Sequence, residues 1–357
     1  MKISMNLIKS YAKDSIIIFV ITFILLEISL QVIHWSKYRN YQFEVYKEIY
    51  SDEREKPYLF SHKNNIKVKL EKGIYEYTIS TNTDGLREKK DYSFLDESII
   101  ILGDSIVEGT SVEDHETMDE ILENNIDIPV LNFGLSSSST IQQYYYLKEK
   151  YKKSYNANLI ILGFCLNDFE QNLFRRYFDP SKGNWKLYDY LNKDGDIQEN
   201  NKNIIIEQQN SVTTKFKKYL LNIKTISTIY HLSKNSRFRI GLTDTDYEIP
   251  EQQLKNTIKY IKEIKKFSKS INADFLVLVF PYEDQLYIEY KKGGRVQDQL
   301  ISALNKNDIN YLDLYDPFVD FVRKNADIKL FHDNVHPYKY GHQLTAQVIK
   351  DYLLNNF

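Results

Sequence analysis

Four short polar blocks carry residue types that can do chemistry together. The first is Gly103-Asp104-Ser105, reached at the end of the apolar run "SIIIL". The second is Asn132-Phe133-Gly134, the third Asn167-Asp168, and the fourth Asp333-Asn334-Val335-His336-Pro337. A serine hydroxyl is a poor nucleophile at neutral pH and needs a base within hydrogen-bond reach. Histidine suits that task because imidazole takes and returns a proton near neutral pH, and His336 is the candidate. An imidazole in turn needs a carboxylate to orient it and to stabilise the imidazolium formed during attack. Asp333 lies three residues before His336, and a tight turn there puts both side chains on one side of the backbone. Pro337 then falls in the first turn of a helix, where its missing N–H is harmless. The carbonyl under attack needs donors aimed at the developing oxyanion. The backbone N–H groups of Ser105 and Gly134, with the side-chain amide of Asn167, would supply three. Glycine at 134 lets the backbone approach closely, and an asparagine amide brings two N–H groups without charge.

These blocks must be held by something, and the surrounding pattern says what. From residue 98 onward, short apolar runs alternate with longer helical patterns. The runs are "SIIIL", "VLNF", "LIILGF", "DFLVLVF" and "INYLDL"; helices are expected over 116–124, 140–153, 251–270, 295–305 and 337–355. Apolar strands separated by helices imply a parallel sheet covered on both faces, with the ligand site beyond the carboxyl ends of the strands. Each polar block falls there or just before the last helix. The alternation breaks over 169–250, a polar and aromatic stretch read as an insertion or cap over the site. Upstream, "IKVKLEKGIYEYTIST" alternates as two strands of a hairpin around Lys72-Gly73 do, and Asp84-Gly85 marks a turn.

The N-terminus has a different character. Residues 15–35 include "IIIFVITFILLEISLQVIHW", long enough to cross a hydrocarbon core as a helix. Lysines at 2, 9 and 13 precede it, and Trp35 and Tyr38 follow as interfacial anchors would. No small-residue cleavage site follows, which favours an uncleaved anchor over a signal peptide or a soluble helix. Glu27 argues against deep insertion, since a carboxyl there is costly unless protonated or paired. The expected organisation is a tail at 1–14, a transmembrane anchor at 15–35, a juxtamembrane strand and linker segment at 36–96, and a catalytic domain at 97–357. The catalytic domain is expected outside the cytoplasm. Over all 357 residues the net charge is −2, so no global basic field exists to hold nucleic acid. Cys165 is the sole cysteine, which excludes an internal disulfide.

In this order, the blocks resemble those of the SGNH (GDSL) hydrolase family, and "TNTDGLREKKDYS" upstream resembles its membrane-attached bacterial members. The matching segments are "LGDSIVEG", "NFGLSSSST", "LGFCLNDF" and "DNVHPYKYGH". The resemblance implies an α/β fold, a flavodoxin-like three-layer α/β/α sandwich with a parallel central sheet, here preceded by an N-terminal transmembrane helix. It implies nucleophile Ser105, base His336, orienting Asp333, and oxyanion donors from Ser105, Gly134 and Asn167, with no cofactor. The pattern departs from the family in three places. Ile106 replaces the usual leucine, Cys165 replaces a glycine in the third block, and the serines at 136–139 replace the second glycine of block two. No Gly-x-Ser-x-Gly brackets a candidate serine, so the α/β-hydrolase pattern is not met.

Other polar and aromatic residues have plainer readings. Asp104 and Asp168 read as loop supports and Cys165 as a buried small hydrophobe. His115, His332 and His342 have no ligand spacing, so no metal is expected. Trp185, Tyr188 and Tyr190 suit either a core or a sugar-binding face. The expected activity is hydrolysis of an ester through an acyl-enzyme, with an O-acylated surface carbohydrate as substrate. A glycan transacylase using the same triad, a lipid-directed lipase or thioesterase, and a non-catalytic scaffold are the rivals.

Overall fold

The computed structural model describes residues 15, 17–27, 29, 45–72, 75–197, 248–288, 290 and 294–356. Two compact units divide the chain, Met1–Gln42 with Lys202–Ile240 and Phe43–Asn201 with Gly241–Phe357. In the first unit residues 17–27 are helical, and Ile18, Phe19 and Leu25 are 65, 70 and 59% exposed. Among the described residues no helix is long and apolar enough to cross a membrane. The expected span at 15–35 falls partly outside the described residues, which include none of 30–35.

In the second unit two antiparallel ladders come first. Strand β1 (Tyr50–Glu53) pairs with β2 (Leu59–His62), and β3 (Lys67–Lys72) pairs with β4 (Tyr75–Ser80) across the expected hairpin. Then the apolar runs become strands. All residues of β5 (Ser98–Gly103) and β6 (Val130–Gly134) are buried, as is β7 (Ala157–Phe164) apart from Asn158. A hairpin of β8 (Phe174–Asp179) and β9 (Asn184–Tyr190) follows. The sheet is completed by β10 (Asp274–Val279) and the short edge strand β11 (Tyr311–Asp313). Its five strands run in the order β11-β10-β7-β5-β6, all parallel. Strand order reverses where β5 lies between β6 and β7, and such a switch point opens a crevice at the carboxyl ends of the strands.

Helices cover both faces because strands this apolar need shielding on each side. A four-residue helix, α1 (Ser105–Glu108), leaves β5. On one face α2 (Met118–Ile126) packs against the C-terminal helix α8 (Lys339–Asn356). Elsewhere α3 (Thr140–Lys150) packs against α5 (Glu251–Ser270), which also meets α6 (Val296–Lys306) and the short α4 (Asp168–Gln171). Helix α7 (Tyr315–Lys324), absent from the sequence expectation, buries Phe318 and Val319. Pro317 disguises it, although a proline in the first turn breaks no intrahelical bond. The expected helices appear as α2, α3, α5, α6 and α8, with ends displaced by no more than about one turn.

The stretch expected as an insertion or cap, 169–250, is described only at its ends, since 198–247 lie outside the described residues. Its first part packs β8 against β1 and β2. There Trp185 meets the rings of Tyr46, Tyr50, Phe60 and Phe178 at 4.9–6.1 Å, so this tryptophan belongs to an aromatic core cluster. Tyr188 lies under the Arg175 guanidinium, while Tyr190 is exposed.

Arg87, buried in the loop before β5, fastens this N-terminal layer to the sheet domain. Its guanidinium donates to the carbonyls of Glu108 and Gly109 at 2.5 and 2.6 Å and to those of Thr78 and Val112 at 2.8 Å each. Asp114 lies 3.3 Å away as its counter-charge. Replacement by alanine leaves four carbonyls, three of them on buried residues, and one carboxylate without these donors. Arg87→Ala is therefore expected to lower the free energy of unfolding by about 3–5 kcal/mol, measured by urea denaturation.

Candidate active site

The turn that carries Ser105 is built by a cap. Asp104 ends β5, and its Oδ1 accepts the Ile106 N–H at 2.9 Å, so the chain turns directly into α1 with Ser105 as first residue. The helix is over within one turn, at Gly109 with φ 86°. Asp104 Oδ2 also accepts from the Asn167 amide at 3.3 Å, which ties the loop after β7 to the serine turn. Burial pushes the Asp104 carboxyl above its ordinary pKa, while the Ile106 N–H and the charge of His336 oppose that rise.

His336 arrives from far along the chain. The loop holding it is closed at its base by the His332 N–H to His336 carbonyl bond, 2.8 Å, and the Tyr338 N–H to Leu330 carbonyl bond, 2.9 Å. Its tip is pinned to the turn after β10. Asn334 accepts the Glu283 N–H at its carbonyl and the Asp284 N–H at its side chain, both at 2.9 Å. Asp333 Oδ1 accepts the N–H groups of Val335 and His336, both at 2.9 Å, an Asx-type turn that brings carboxylate and imidazole together. Nδ1 of His336 lies 2.9 Å from each Asp333 oxygen, and Nε2 lies 2.9 Å from Ser105 Oγ. Hydroxyl, imidazole and carboxylate thus form one hydrogen-bonded line with the tautomer a general base requires, Nδ1–H toward Asp333 and Nε2 free to accept.

The oxyanion donors are only partly those expected. The Ser105 N–H, at the start of α1, meets no protein acceptor among the described residues. Asn167 spends one amide hydrogen on Asp104 and keeps a second. Gly134 is a correction. Its N–H donates to Asn132 Oδ1 at 2.8 Å, so it is not available to an oxyanion. The glycine serves packing instead: a Cβ there would stand 2.1 Å from the Glu108 nitrogen. In this loop the Ser137 N–H, on a residue with φ 64°, has no acceptor among the described residues. Ser105, Ser137, Asn167 and His336 are each partly exposed, although Asp104, Ser136, Ser138 and Asp168 beside them are buried. The sequence reading places the donor at Gly134 and treats the serines at 136–139 only as a departure from the family pattern.

Other residues fall into supporting places. Asn132 also donates to the Val107 carbonyl at 2.9 Å and to Asp119 at 2.7 Å. Its own N–H goes to Glu88 at 2.8 Å, and burial together with the nearby Asp119 charge pushes the Glu88 carboxyl far up. Cys165 is buried with its thiol pushed well above the ordinary range by burial and then by the Asp104 charge, so it is no nucleophile. Asp168 is buried in the turn after the third block, where burial and then the charge of Asp104 push its carboxyl up. His342 is buried, accepts the Met118 N–H at 3.1 Å, and is driven down to about 3 by burial. Among the described residues no group of three or more His, Cys, Asp or Glu side chains is placed to hold a metal ion.

Glu108, unassigned by the sequence reading, is the most heavily bonded group next to the site. It is buried and accepts from Tyr50 and His62 Nε2 at 2.7 Å each, from Ser136 N–H at 3.1 Å, from Thr110 at 3.2 Å, and from the Ser136 hydroxyl. Burial alone would raise its carboxyl. The His62 hydrogen bond and charge, with the Ser136 and Tyr50 bonds, outweigh burial and hold it at about 2.

The model of the GDSL-like Lipase/Acylhydrolase family matches residues 99–349. Similar solved structures include a lipolytic protein of the G-D-S-L family from Veillonella parvula DSM 2008, 16% identical with TM-score 0.40, covering 73% of this chain and 100% of that one. Another, from Desulfitobacterium hafniense DCB-2, is 15% identical with TM-score 0.38 over 71% of this chain and 98% of its own. A two-domain esterase active on acetylated mannans is 11% identical with TM-score 0.41, over 72% of this chain and 49% of its own. No curated protein sequence matches.

A carboxyl held below its unfolded value adds stability above that value and loses it as pH falls through the folded one. Glu108 should therefore contribute about 3 kcal/mol at pH 5 that disappears by about pH 2. Urea titrations at pH 2–5 should reveal that slope in wild type and its absence in Glu108→Gln.

Proposed function

The chain belongs to the GDSL-like lipase/acylhydrolase family, and we propose that it is a serine esterase that removes an O-acyl group, acetyl above all, from a surface carbohydrate. The observation that carries the mechanism is the line from Ser105 Oγ through His336 to Asp333, with both junctions at 2.9 Å.

Ser105 Oγ attacks the ester carbon as its proton passes to His336 Nε2. Asp333 steadies the imidazolium through Nδ1. The oxyanion is met by the N–H groups of Ser105 and Ser137 and by the second amide hydrogen of Asn167. The imidazolium then protonates the departing alkoxide, leaving the acyl group on Ser105. Water attacks that ester while His336 takes its proton, which returns to Ser105 Oγ as the carboxylic acid leaves. A two-step path of this kind replaces one hard displacement by two easier ones.

In this reading residues 1–14 are a tail, 15–35 the anchor, 36–96 the juxtamembrane segment and 97–357 the hydrolase domain, facing away from the cytoplasm. The exposed apolar side chains at 18, 19 and 25 support membrane attachment, since such side chains in water need a cover. A domain held there meets surface glycans, and that placement supports the carbohydrate substrate.

The test is labelling with a fluorophosphonate probe, followed by acetyl release from a panel of acetylated saccharides, with and without an acceptor sugar. Wild type should label and Ser105→Ala should not, with acetyl release falling at least about a hundredfold. A mutant that labels as wild type does would sink the mechanism. Preference for long-chain p-nitrophenyl esters would remove the carbohydrate assignment, and acyl transfer to the sugar without free acetate would change hydrolase to transferase.

A further inference from the structure

We propose that Glu108 is a positioning residue for oxyanion stabilisation: anchored by His62 and Tyr50, it locks the peptide turn that aims the Ser137 N–H. The proposal rests on the esterase reading, in which that N–H is a donor to the oxyanion.

Residues 135–138 form a turn closed by the Ser138 N–H to Leu135 carbonyl bond at 3.1 Å. Ser137, third in that turn, has φ 64°, whereas Ser136 does not have positive φ. That combination is a type II turn, whose third position calls for glycine or asparagine. A serine there is strained and persists only if its surroundings hold it. The competing type I turn differs by rotation of the central peptide, between residues 136 and 137. That rotation would carry the Ser137 N–H to the opposite side. The position of one donor therefore depends on which turn the loop adopts.

Glu108 holds the middle of this turn. Its carboxylate takes both the N–H and the hydroxyl of Ser136, the residue that begins the central peptide. The carboxylate is itself fixed from a different layer of the protein. His62, on β2, directs Nε2 at Glu108 Oε1, 2.7 Å, and Nδ1 at the Gly85 carbonyl, 3.2 Å. The ring thereby bridges the Glu108 carboxylate and the Gly85 carbonyl. Tyr50, at the start of β1, supplies a further donor at 2.7 Å. Glu108 also ends α1, the helix that begins with Ser105, so one side chain references the donor turn to the nucleophile turn. Other bonds hold the two ends of the turn, the Leu135 N–H to the Gly103 carbonyl at 3.0 Å, the Ser138 hydroxyl to the Leu135 carbonyl at 2.6 Å and the Gln143 amide to the Ser138 carbonyl at 3.3 Å, whereas Glu108 holds its middle.

A purely structural ion pair would affect stability and leave the chemical step alone. A positioning role makes a different forecast. Glu108→Gln and Ser136→Ala should lower kcat on p-nitrophenyl acetate about tenfold, less than the loss of a donor itself, with KM within about twofold of wild type. Affinity for a trifluoromethyl ketone analogue, which mimics the tetrahedral state, should fall by the same factor. Adding Ser137→Gly, which accepts positive φ without support, should recover most of that loss. Should Glu108→Gln not fold, Ser136→Ala reads the same effect with the carboxylate and its other partners retained. A kcat within twofold of wild type in the folded variants overturns the proposal, as does retained analogue affinity or a loss that Ser137→Gly leaves undiminished. Ser105→Ala run alongside separates the two readings. Activity lost there but kept in Glu108→Gln removes only the positioning role, whereas activity kept in Ser105→Ala removes the esterase mechanism itself.

Discussion

Between the end of β6 and the backbone of α1 there is no room for a single methyl group. The ideal Cβ of residue 134 would lie 2.1 Å from the Glu108 nitrogen and 2.5 Å from its Cα, so glycine is obligatory. That contact sets the geometry of everything beyond the sheet. It allows α1 to start without a connecting loop and to lie across the carboxyl end of the neighbouring strand. Val107, the residue before Glu108, is buried in the same helix, and Cβ atoms at Gly103 or Gly163 would each meet it at 2.4 Å. Ser105 is therefore presented by a turn that is clamped from three strands at once and cannot tilt. Rigid presentation matters because acyl transfer depends on reacting atoms held in near-attack geometry.

His336 reaches this clamp by a different strategy. Ser105 and His336 are 231 residues apart in sequence, and no regular element carries the imidazole. The loop holding it instead satisfies itself. Asp333 collects two backbone N–H groups and the ring, while Asn334 fastens the tip to the turn beyond β10. The carboxylate that meets the His336 ring is thus also the one that shapes its loop. Its side chain is 41% exposed and that of His336 19%, so water shares this corner of the site. Short local bonds supply the order that burial supplies elsewhere.

What could be read from the residues follows this division. The sheet was legible because strands buried on both faces leave near-continuous apolar runs, and Ser105, Asp333, His336 and Asn167 were legible because their chemistry calls for side chains. Of the proposed backbone donors, the Ser105 N–H was legible and the second was not. Gly134 looked like a donor because glycine permits close approach, yet the approach is made by α1, and Asn132 takes the N–H. Ser137 carries no side-chain signal for a property that lies in its φ angle. Glu108 reads as an ordinary helix residue, since nothing local reveals that His62 and Tyr50 will meet it from 46 and 58 residues away. Pairings of that kind appear only once the layers are stacked.

The same pairings decide what the segment before β5 is. By rhythm alone the domain starts near residue 97, with a juxtamembrane strand and linker segment before it. By contact the compact unit includes everything from Phe43 except the stretch 202–240. Arg87 caps carbonyls at the end of α1, Glu88 holds Asn132, and His62 and Tyr50 hold Glu108. Each bond joins a polar group of the early segment to the backbone or side chain of a site-forming turn. A linker bears no such obligations, because its polar groups face water. Removing this layer would strand several buried polar groups around the serine, at roughly 1–3 kcal/mol apiece, and so could not leave the turn as it stands. Tyr50, His62, Arg87 and Glu88 thus belong to the construction of the site as fully as the strands that bear its side chains.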